Sequence, residues 1–475
     1  MNARATADVV VVGAGPAGIA AATSAASLGL SVRVLDEQPT PGGQIHRGVT
    51  RADEAVASRL GENYRRGRAR VDAMRASGAI LEAGATVVDV GDALDVAYLR
   101  DEALHEIVPR HLIVATGAIE RAVPFAGGTL PGVMTAGAAQ AMLKGAASVP
   151  SGRIALAGCG PLLVLVAAEL VRAGAEVVAM LETTSAADFL RAMPRLPRAL
   201  AAIEVLAEGR DLLRTLRDAG VERLTGIDSI AALGERRVAA VRVTRRGRAR
   251  EIAVDTLLVH AGIVPNIQVT RLLRLEHDWD ERQLAWRPRV DAWGRSSDPR
   301  VGVAGDGAGI GGALAAEASG ALAGLDAACA LGAIGADERE RRAAPLVSGR
   351  RRCLAVRPWL DELFRPPVWI VDPPDEAIVC RCEEVPAAAI RAAVRAGCRG
   401  PNQTKFLSRC GMGPCQGRVC GSVVTTILAR ATGLAPRDVG YTRIRPPLVP
   451  VPLAALAALH EVDRNAGGSD GHGPV

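Results

Sequence analysis

Aromatic residues are scarce in this chain: five Trp, three Tyr and four Phe make up 3% of 475 residues. Lysine is scarcer still, with only Lys144 and Lys405, so nearly all the positive charge is arginine. A net charge of +6 could suggest nucleic acid, but the arginines are spread along the chain and no basic-aromatic motif accompanies them. The charge reads as a solvated surface and no nucleic-acid partner is expected. Long apolar runs are missing too. The most apolar stretch, Ile154 to Val171, is broken by Gly158, Gly160, Pro161 and Glu169 and cannot span a bilayer. The chain runs from Met1 through a short polar stretch into the apolar run Val9–Val12, with no cationic and apolar leader before it. A cytoplasmic location, or one peripheral at the inner membrane face, is expected.

The length calls for two to four domains, and 49% apolar with 23% charged residues is ordinary for a globular protein. Strand-like runs alternate with Ala-rich helical runs to about residue 330, which predicts an α/β fold with parallel sheets. Val9 to Glu37 and Ile154 to Glu182 resemble each other: strand, Gly-x-Gly-Pro turn, long helix, Gly stop, second strand, acid. Two related nucleotide-binding units follow from that repeat. Residues 346–375, rich in Arg and Pro, read as a linker, and a cysteine-bearing module follows at 376–435. The tail, 436–475, ends in a Gly-rich dozen residues expected to be disordered.

Gly13-Ala14-Gly15-Pro16-Ala17-Gly18 follows a run of valines and opens a helix. Gly13 permits the tight turn, Gly15 lets backbone approach a pyrophosphate, and Gly18 lets the helix pack on the strand. The helix N-terminus faces the phosphates with free N–H groups and partial positive charge. The second strand ends at Asp36-Glu37, where an acid can accept hydrogen bonds from a ribose. Three further segments favour FAD: Pro41-Gly42-Gly43-Gln44, Ala115-Thr116-Gly117 closing a strand, and Gly305-Asp306-Gly307 between a strand and a helix start. In this order they resemble the flavoprotein reductases with two dinucleotide-binding domains. That resemblance implies an FAD domain of residues 1–120 plus 290–345, with 121–289 inserted, and implies that the backbone of Val87 touches adenine.

The second turn, Gly158-Cys159-Gly160-Pro161-Leu162-Leu163, replaces the third glycine by leucine, which holds helix and strand apart and can obstruct a pyrophosphate. Glu182 remains as a ribose acid. NAD(P), a second adenine nucleotide, or an empty structural remnant are all open here. The cysteine pair that thiol-disulfide members carry beside the flavin is absent from Thr40–Val49 and from Leu130–Gln140, which excludes disulfide reduction.

Six of nine cysteines fall between Cys380 and Cys420, a clustering that suits metal or redox chemistry. Cys380 and Cys382 sit at a strand end, before a short helix over Pro386–Ala396. Cys410 and Cys415 lie in a Gly-rich stretch read as opening a second helix, with Pro414 near its start. Two thiolate pairs suit a four-sulfur site. The spacing, C-x-C, 27 residues, C-x4-C, resembles the 2Fe-2S domain of bacterioferritin-associated ferredoxin, and zinc or a metal-free fold are the alternatives. Cys420 is a ligand only if Cys415 is not. Cys398, Cys329 and Cys353 read as buried small residues.

Taken together, "LDEQPTPGGQIHR", "LPGVMTAGAAQ", "GIVPNIQ" and "CRCEEV … RCGMGPCQGRVCG" resemble the larger FAD subunits of opine oxidases, D-hydroxyproline dehydrogenases and hydrogen cyanide synthase. That family implies electron transfer. An amine is oxidised on a partner of the glycine-oxidase type that carries its own FAD. A small ferredoxin-like 2Fe-2S protein is often part of the complex, and electrons leave to a respiratory acceptor. No general base or nucleophile stands out in this chain. His46 lies near the FAD loop, where contact with the flavin or an acceptor is the alternative to a structural role, and His111 and His260, flanking buried strands, read as packed side chains. An NAD(P)H-dependent reductase of a ferredoxin-like acceptor, and a cofactor-bearing scaffold, are the competing readings.

Overall fold

The computed structural model describes residues 5–457; the Gly-rich end and the last residues of the apolar stretch Pro446–Leu459 lie outside them. The run Ala5–Val12 is the inner strand of a seven-stranded sheet, flanked in parallel by Val32–Asp36 and by Ala103–Val114. Its valines are buried because helices cover one face and a second core the other, as an inner parallel strand requires. Val301–Val303 pairs in parallel with Ala103–Val114, so a strand from late in the chain completes this first sheet.

The second sheet has five parallel strands in the order Glu222–Thr225, Val177–Glu182, Ile154–Cys159, Thr256–Ala261 and Val133–Thr135. The two sheets are joined by a pair of crossing segments, Ala118–Glu120 and Ile263–Pro265, that run antiparallel to each other. Arg121 pins this crossing. Its buried guanidinium donates to the carbonyls of Ala261 (3.1 Å) and Leu284 (2.9 Å), and to that of Gln283.

The cysteine module is a small unit of helices Ala387–Arg395, Pro401–Ser408 and Gly421–Thr432 with a two-stranded ribbon at Cys380. Val379, Ile390, Val424, Ile427 and Leu428 fill its core. The chain after it returns to the first sheet: Leu448 N–H donates to Val88 O (2.7 Å), and Ile444 and Leu448 enter the core beside Val90 and Leu94.

Two local expectations change. Much of the stretch read as a linker is helical, in Ala336–Leu354, Arg357–Leu363 and Val368–Val371. Ala343 and Leu346 pack on Leu322 and Leu325, so tertiary burial overrides the Pro- and Arg-rich composition. The helix expected around Pro414 starts later, at Gly421, because Gly411, Gln416 and Gly417 adopt positive φ and keep the chain in turns. No helix among the described residues is long and apolar enough to cross a membrane.

Burial keeps two histidines neutral. His46 is pressed against Gly67 and pushed down to about 4 by burial, with Lys144 adding to the effect. His277, close to Thr270 Oγ1 (2.9 Å), is pushed down to about 3 by burial and Arg271. The unfolded chain takes up these protons near pH ~6.5, so below that pH it binds more protons than the folded chain. Stability is therefore expected to fall as pH drops from about 6.5 to about 4. Thermal unfolding across that window should show a falling Tm, and His46→Leu should make the fall shallower; an identical pH slope in the variant would contradict this assignment.

Candidate functional site

The glycine turn lies where backbone is crowded from both sides. A Cβ on Gly13 (φ +103°) would meet the Ala115 carbonyl, and one on Gly18 would run into Gly13 O. The helix Pro16–Ala26 packs lengthwise on Ala313–Ala330, since Gly320 and Gly324 let its carbonyls at Ala17 and Ala21 come close. Both helices begin at one crevice, at the C-terminal ends of the parallel strands. An anionic dinucleotide there meets the free N–H groups of Pro16–Ala26's first turn.

The other residues expected at this site converge on it. Gly42 N–H donates to Ala14 O (2.8 Å), and a Cβ on Gly43 would sit 2.8 Å from the Gly15 Cα, so this loop faces the turn directly. Gln44 is exposed on the same loop and accepts from Arg47. Ala115 N–H donates to Val12 O (2.9 Å), placing Ala115-Thr116-Gly117 beside the turn. Ala304 N–H donates to Val114 O (3.0 Å) and sets Gly305-Asp306 on the far side. Asp306 Oδ1 accepts from Gly311 (2.8 Å) and Gly312 (3.0 Å), bracing the entry to Ala313–Ala330. A cavity of about 260 Å³ opens beside Gly305 and Asp306, between Arg287 and Arg350.

The two acids at the strand end have different work. Asp36 is buried, accepts from the backbone of Ala14 and of Gln38 (2.7 Å), and is raised by burial. It braces the turn. Glu37, one residue on, is exposed and accepts from Gln38 Nε2 (3.3 Å). Gly84 N–H donates to Gln38 O (3.2 Å) and Ala85 N–H to Asp36 O (2.9 Å), which brings Val87 alongside this end of the strand.

The second glycine turn is built alike and surrounded differently. Leu163 is fully buried among Leu156, Val166 and Leu258. Glu182 is buried and paired with Arg223. Phe364, Trp369 and Ile370 pack on Cys159 and Ala261, and Cys159 Sγ lies 3.6 Å from Phe364 O. Burial pushes that thiol up to about 11, so it is inert at neutral pH. His260 Nδ1 lies 2.7 Å from Glu120, and its ring faces Gly160. The chain's own residues thus roof this turn.

Five cysteines gather in the C-terminal module. The sulfurs of Cys380, Cys410 and Cys420 lie within 4.8 Å of one another and are buried. Hydrogen bonds from Cys410 and Cys420 hold the Cys380 thiol well below its ordinary value, and Gly411 N–H also points at its sulfur (3.5 Å). The exposed Cys382 is hydrogen-bonded to Cys415. Soft sulfur donors on Gly-rich backbone, with a peptide N–H aimed at one of them, fit an iron–sulfur cluster. Cys420 joins the Cys380 group alongside Cys410, which spacing alone did not reveal because a turn, not a helix, separates Cys415 from Cys420. Cys398 is buried as expected, whereas Cys329 and Cys353 are only half-buried, and all three stand outside the group.

The module and the crevice share a wall. Thr116 Oγ1 donates to Asn266 O (3.0 Å), and Asn266 N–H donates to Gly117 O (2.9 Å). Asn266 and Gln268 line a small cavity with Trp286, Arg418 and Tyr441, and the Tyr441 hydroxyl donates to Gly417 O (3.3 Å) within the cysteine loop. The Arg271 guanidinium lies over Trp286 (4.6 Å) and Tyr441 (5.4 Å).

Glu37→Ala is expected to weaken FAD retention by roughly ten- to a hundredfold, the loss of a hydrogen bond to a charged acceptor, with Tm of the FAD-free chain unchanged. Asp36→Ala should instead lower Tm. FAD titration and thermal unfolding of the two variants distinguish these roles; equal effects on both readouts would contradict them.

Residues 7–321 match the family model described as pyridine nucleotide-disulphide oxidoreductase, and residues 375–460 match that described as the sarcosine oxidase A3 domain. The chain is 40% identical to the A subunit of opine oxidase from Rhizobium meliloti, over 98% of this chain and 90% of that protein. It is 34% identical to the HcnB subunit of hydrogen cyanide synthase from Pseudomonas aeruginosa, over 95% and 98% of the two chains. The fold is similar to that of L-proline dehydrogenase from P. horikoshii, with a TM-score of 0.68 at 19% identity over 95% and 80% of the two chains. An FAD-dependent oxidoreductase, the chain belongs to the pyridine nucleotide-disulphide oxidoreductase family and, along nearly its whole length, to the family of the opine oxidase A subunits.

Proposed function

We propose that this chain is the electron-transfer subunit of a heteromeric amino-acid or opine dehydrogenase, holding FAD at the first glycine turn and a 2Fe-2S cluster in the cysteine module. The observation that carries this reading is the shared wall: Thr116 and Gly117 at the crevice are bonded to Asn266, which lines the same cavity as Tyr441 beside the cysteine loop. FAD accepts two electrons, whereas a 2Fe-2S cluster passes one at a time. The chain's part is to fix their separation and to exclude water from the path.

Gly13, Gly15, Pro16, Ala17 and Gly18 would face the pyrophosphate, Glu37 and Val87 the adenosine, and Gly42, Gly43, Gln44, Ala115, Thr116, Gly117, Gly305 and Asp306 the flavin end. Cys380, Cys382, Cys410 and Cys415 would be the ligands; because Cys420 lies beside both Cys380 and Cys410, it is the alternative to Cys410 as the fourth sulfur. Amine oxidation would belong to a partner of the glycine-oxidase type, with a respiratory acceptor and a small ferredoxin-like protein downstream. The engaged Glu182, the buried Leu163 and the roof of Phe364, Trp369 and Ile370 support the reading that NAD(P)H is not the donor and that the second turn is structural, with another adenine nucleotide as the alternative occupant.

NADH added anaerobically to the purified chain should leave flavin absorbance unchanged, while substrate should bleach it in the two-subunit complex. Rapid bleaching by NADH alone would overturn the proposal in favour of a reductase. Replacing Cys380 and Cys382 by Ser should abolish the reduced-cluster EPR signal and delivery to the respiratory acceptor, yet spare substrate-dependent dye reduction. Cys410→Ser and Cys420→Ser, taken singly, identify the fourth ligand as the one whose loss removes the signal.

A further inference from the structure

The cysteine module carries an uneven charge that the chain-wide total conceals. Between Val385 and Arg437 there is no Asp or Glu, while Arg391, Arg395, Arg399, Lys405, Arg409, Arg418, Arg430 and Arg437 are all positive. Several are answered from outside: Arg391 by Asp372 and Asp375, Arg430 by Asp372, Arg409 by Glu383, and Arg437 by Asp438. Lys405 is not. Burial, then Arg445 and Arg443, lower its amino group's affinity for a proton, so three cations crowd together with no acidic partner among the described residues. The chain is tied there by Asn402, whose Oδ1 accepts from Arg443 N–H (3.0 Å).

The same short helix and the loop after it carry apolar side chains that are exposed. Phe406 is 85% exposed, Leu407 56% and Met412 52%. Met412 lies between Cys410 and Cys415, and the next residue, Gly413, abuts the Cys382 side chain: a Cβ there would be 3.4 Å from its sulfur. Arg409, one residue after the helix of Phe406, is paired with Glu383 beside Cys382. The patch therefore reaches the exposed edge of the thiol group. An isolated exposed apolar residue needs no explanation, but three exposed apolar residues close in sequence to cations with no acidic partner among the described residues, and to the module's one fully exposed thiol, do.

We propose that Lys405, Phe406, Leu407, Met412, Arg443 and Arg445 form a docking face for an acidic one-electron carrier protein, with apolar contact at the centre and charge at the rim. The inference rests on the reading of the cysteines as a cluster site and names the partner that the site serves. Unanswered positive charge steers an acidic surface and selects against a basic one. A small apolar centre gives the weak, quickly reversed contact typical of electron-transfer encounters. In each encounter the oxidised carrier gains one electron from the reduced cluster; no bond is made or broken. Two encounters balance each two-electron oxidation, and the two protons from the substrate go to solvent.

The test uses the complete complex with both cofactors and a plant-type 2Fe-2S ferredoxin as the acidic probe. Calorimetric binding should weaken as salt is raised, and the triple variant K405E, R443E, R445E should weaken it by roughly tenfold or more at low salt. Phe406→Ser should weaken it with the salt dependence retained. These variants should keep the flavin and cluster spectra and substrate-dependent bleaching. Unchanged ferredoxin affinity in the triple variant would overturn the proposal. So would vesicles containing phosphatidylglycerol binding the wild type in place of ferredoxin, which would assign the face to a membrane. Separation of the complex by gel filtration in the variants would assign it to the catalytic partner. A wild-type complex that lacks the cluster spectrum would defeat the cluster reading itself, and the spectrum is read independently of binding.

Discussion

Everything at the first crevice depends on how closely two helices can approach. Gly18 lets Pro16–Ala26 lie on the strand before it, and Gly320 and Gly324 let Ala313–Ala330 lie on that helix at backbone distance. A side chain at any of the three would push into a carbonyl. The contact is long-range, joining the first turn of the chain to a helix three hundred residues later. It makes the late strand Val301–Val303 part of the first sheet and sets Gly305 and Asp306 opposite Gly13. The inserted second unit then hangs from the two crossing segments held by Arg121.

The two glycine turns show how the same local pattern leads to different sites. At the first, three glycines keep the turn clear of large side chains, and an exposed Glu37, bonded only by Gln38 among the described residues, stands at the strand end. At the second, Leu163 fills the space a third glycine would leave, the equivalent acid is neutralised by Arg223, and the segment 357–371 brings Phe364, Trp369 and Ile370 over the turn. We read side-chain packing, more than the turn itself, as what distinguishes a cofactor site from a structural copy of one.

Much of this was legible in the residues. Glycines at matching intervals after apolar strand-like runs mark tight turns, so both turns and the parallel character of the sheets could be read directly. Asp36 and Glu37 could not be separated, because which acid braces the turn depends on the direction of alternate side chains at a strand end. Cys420 looked distant from Cys380 because the helix expected across Cys415 begins only at Gly421, and positive-φ residues fold the intervening loop back. Helices in the Arg- and Pro-rich stretch were missed because their stability comes from burial of residues such as Ala343 against a distant helix. The basic character of the cysteine module was masked by ion pairs and by charges averaged over the whole chain.

We propose that this chain relays electrons and leaves substrate oxidation to its partner. Anaerobic reduction by an opine or amino-acid substrate, followed by EPR and visible absorbance together, is the decisive measurement. The isolated chain should stay oxidised, and adding the catalytic partner should reduce its flavin and bring up the cluster signal. Bleaching of the isolated chain by substrate would contradict it.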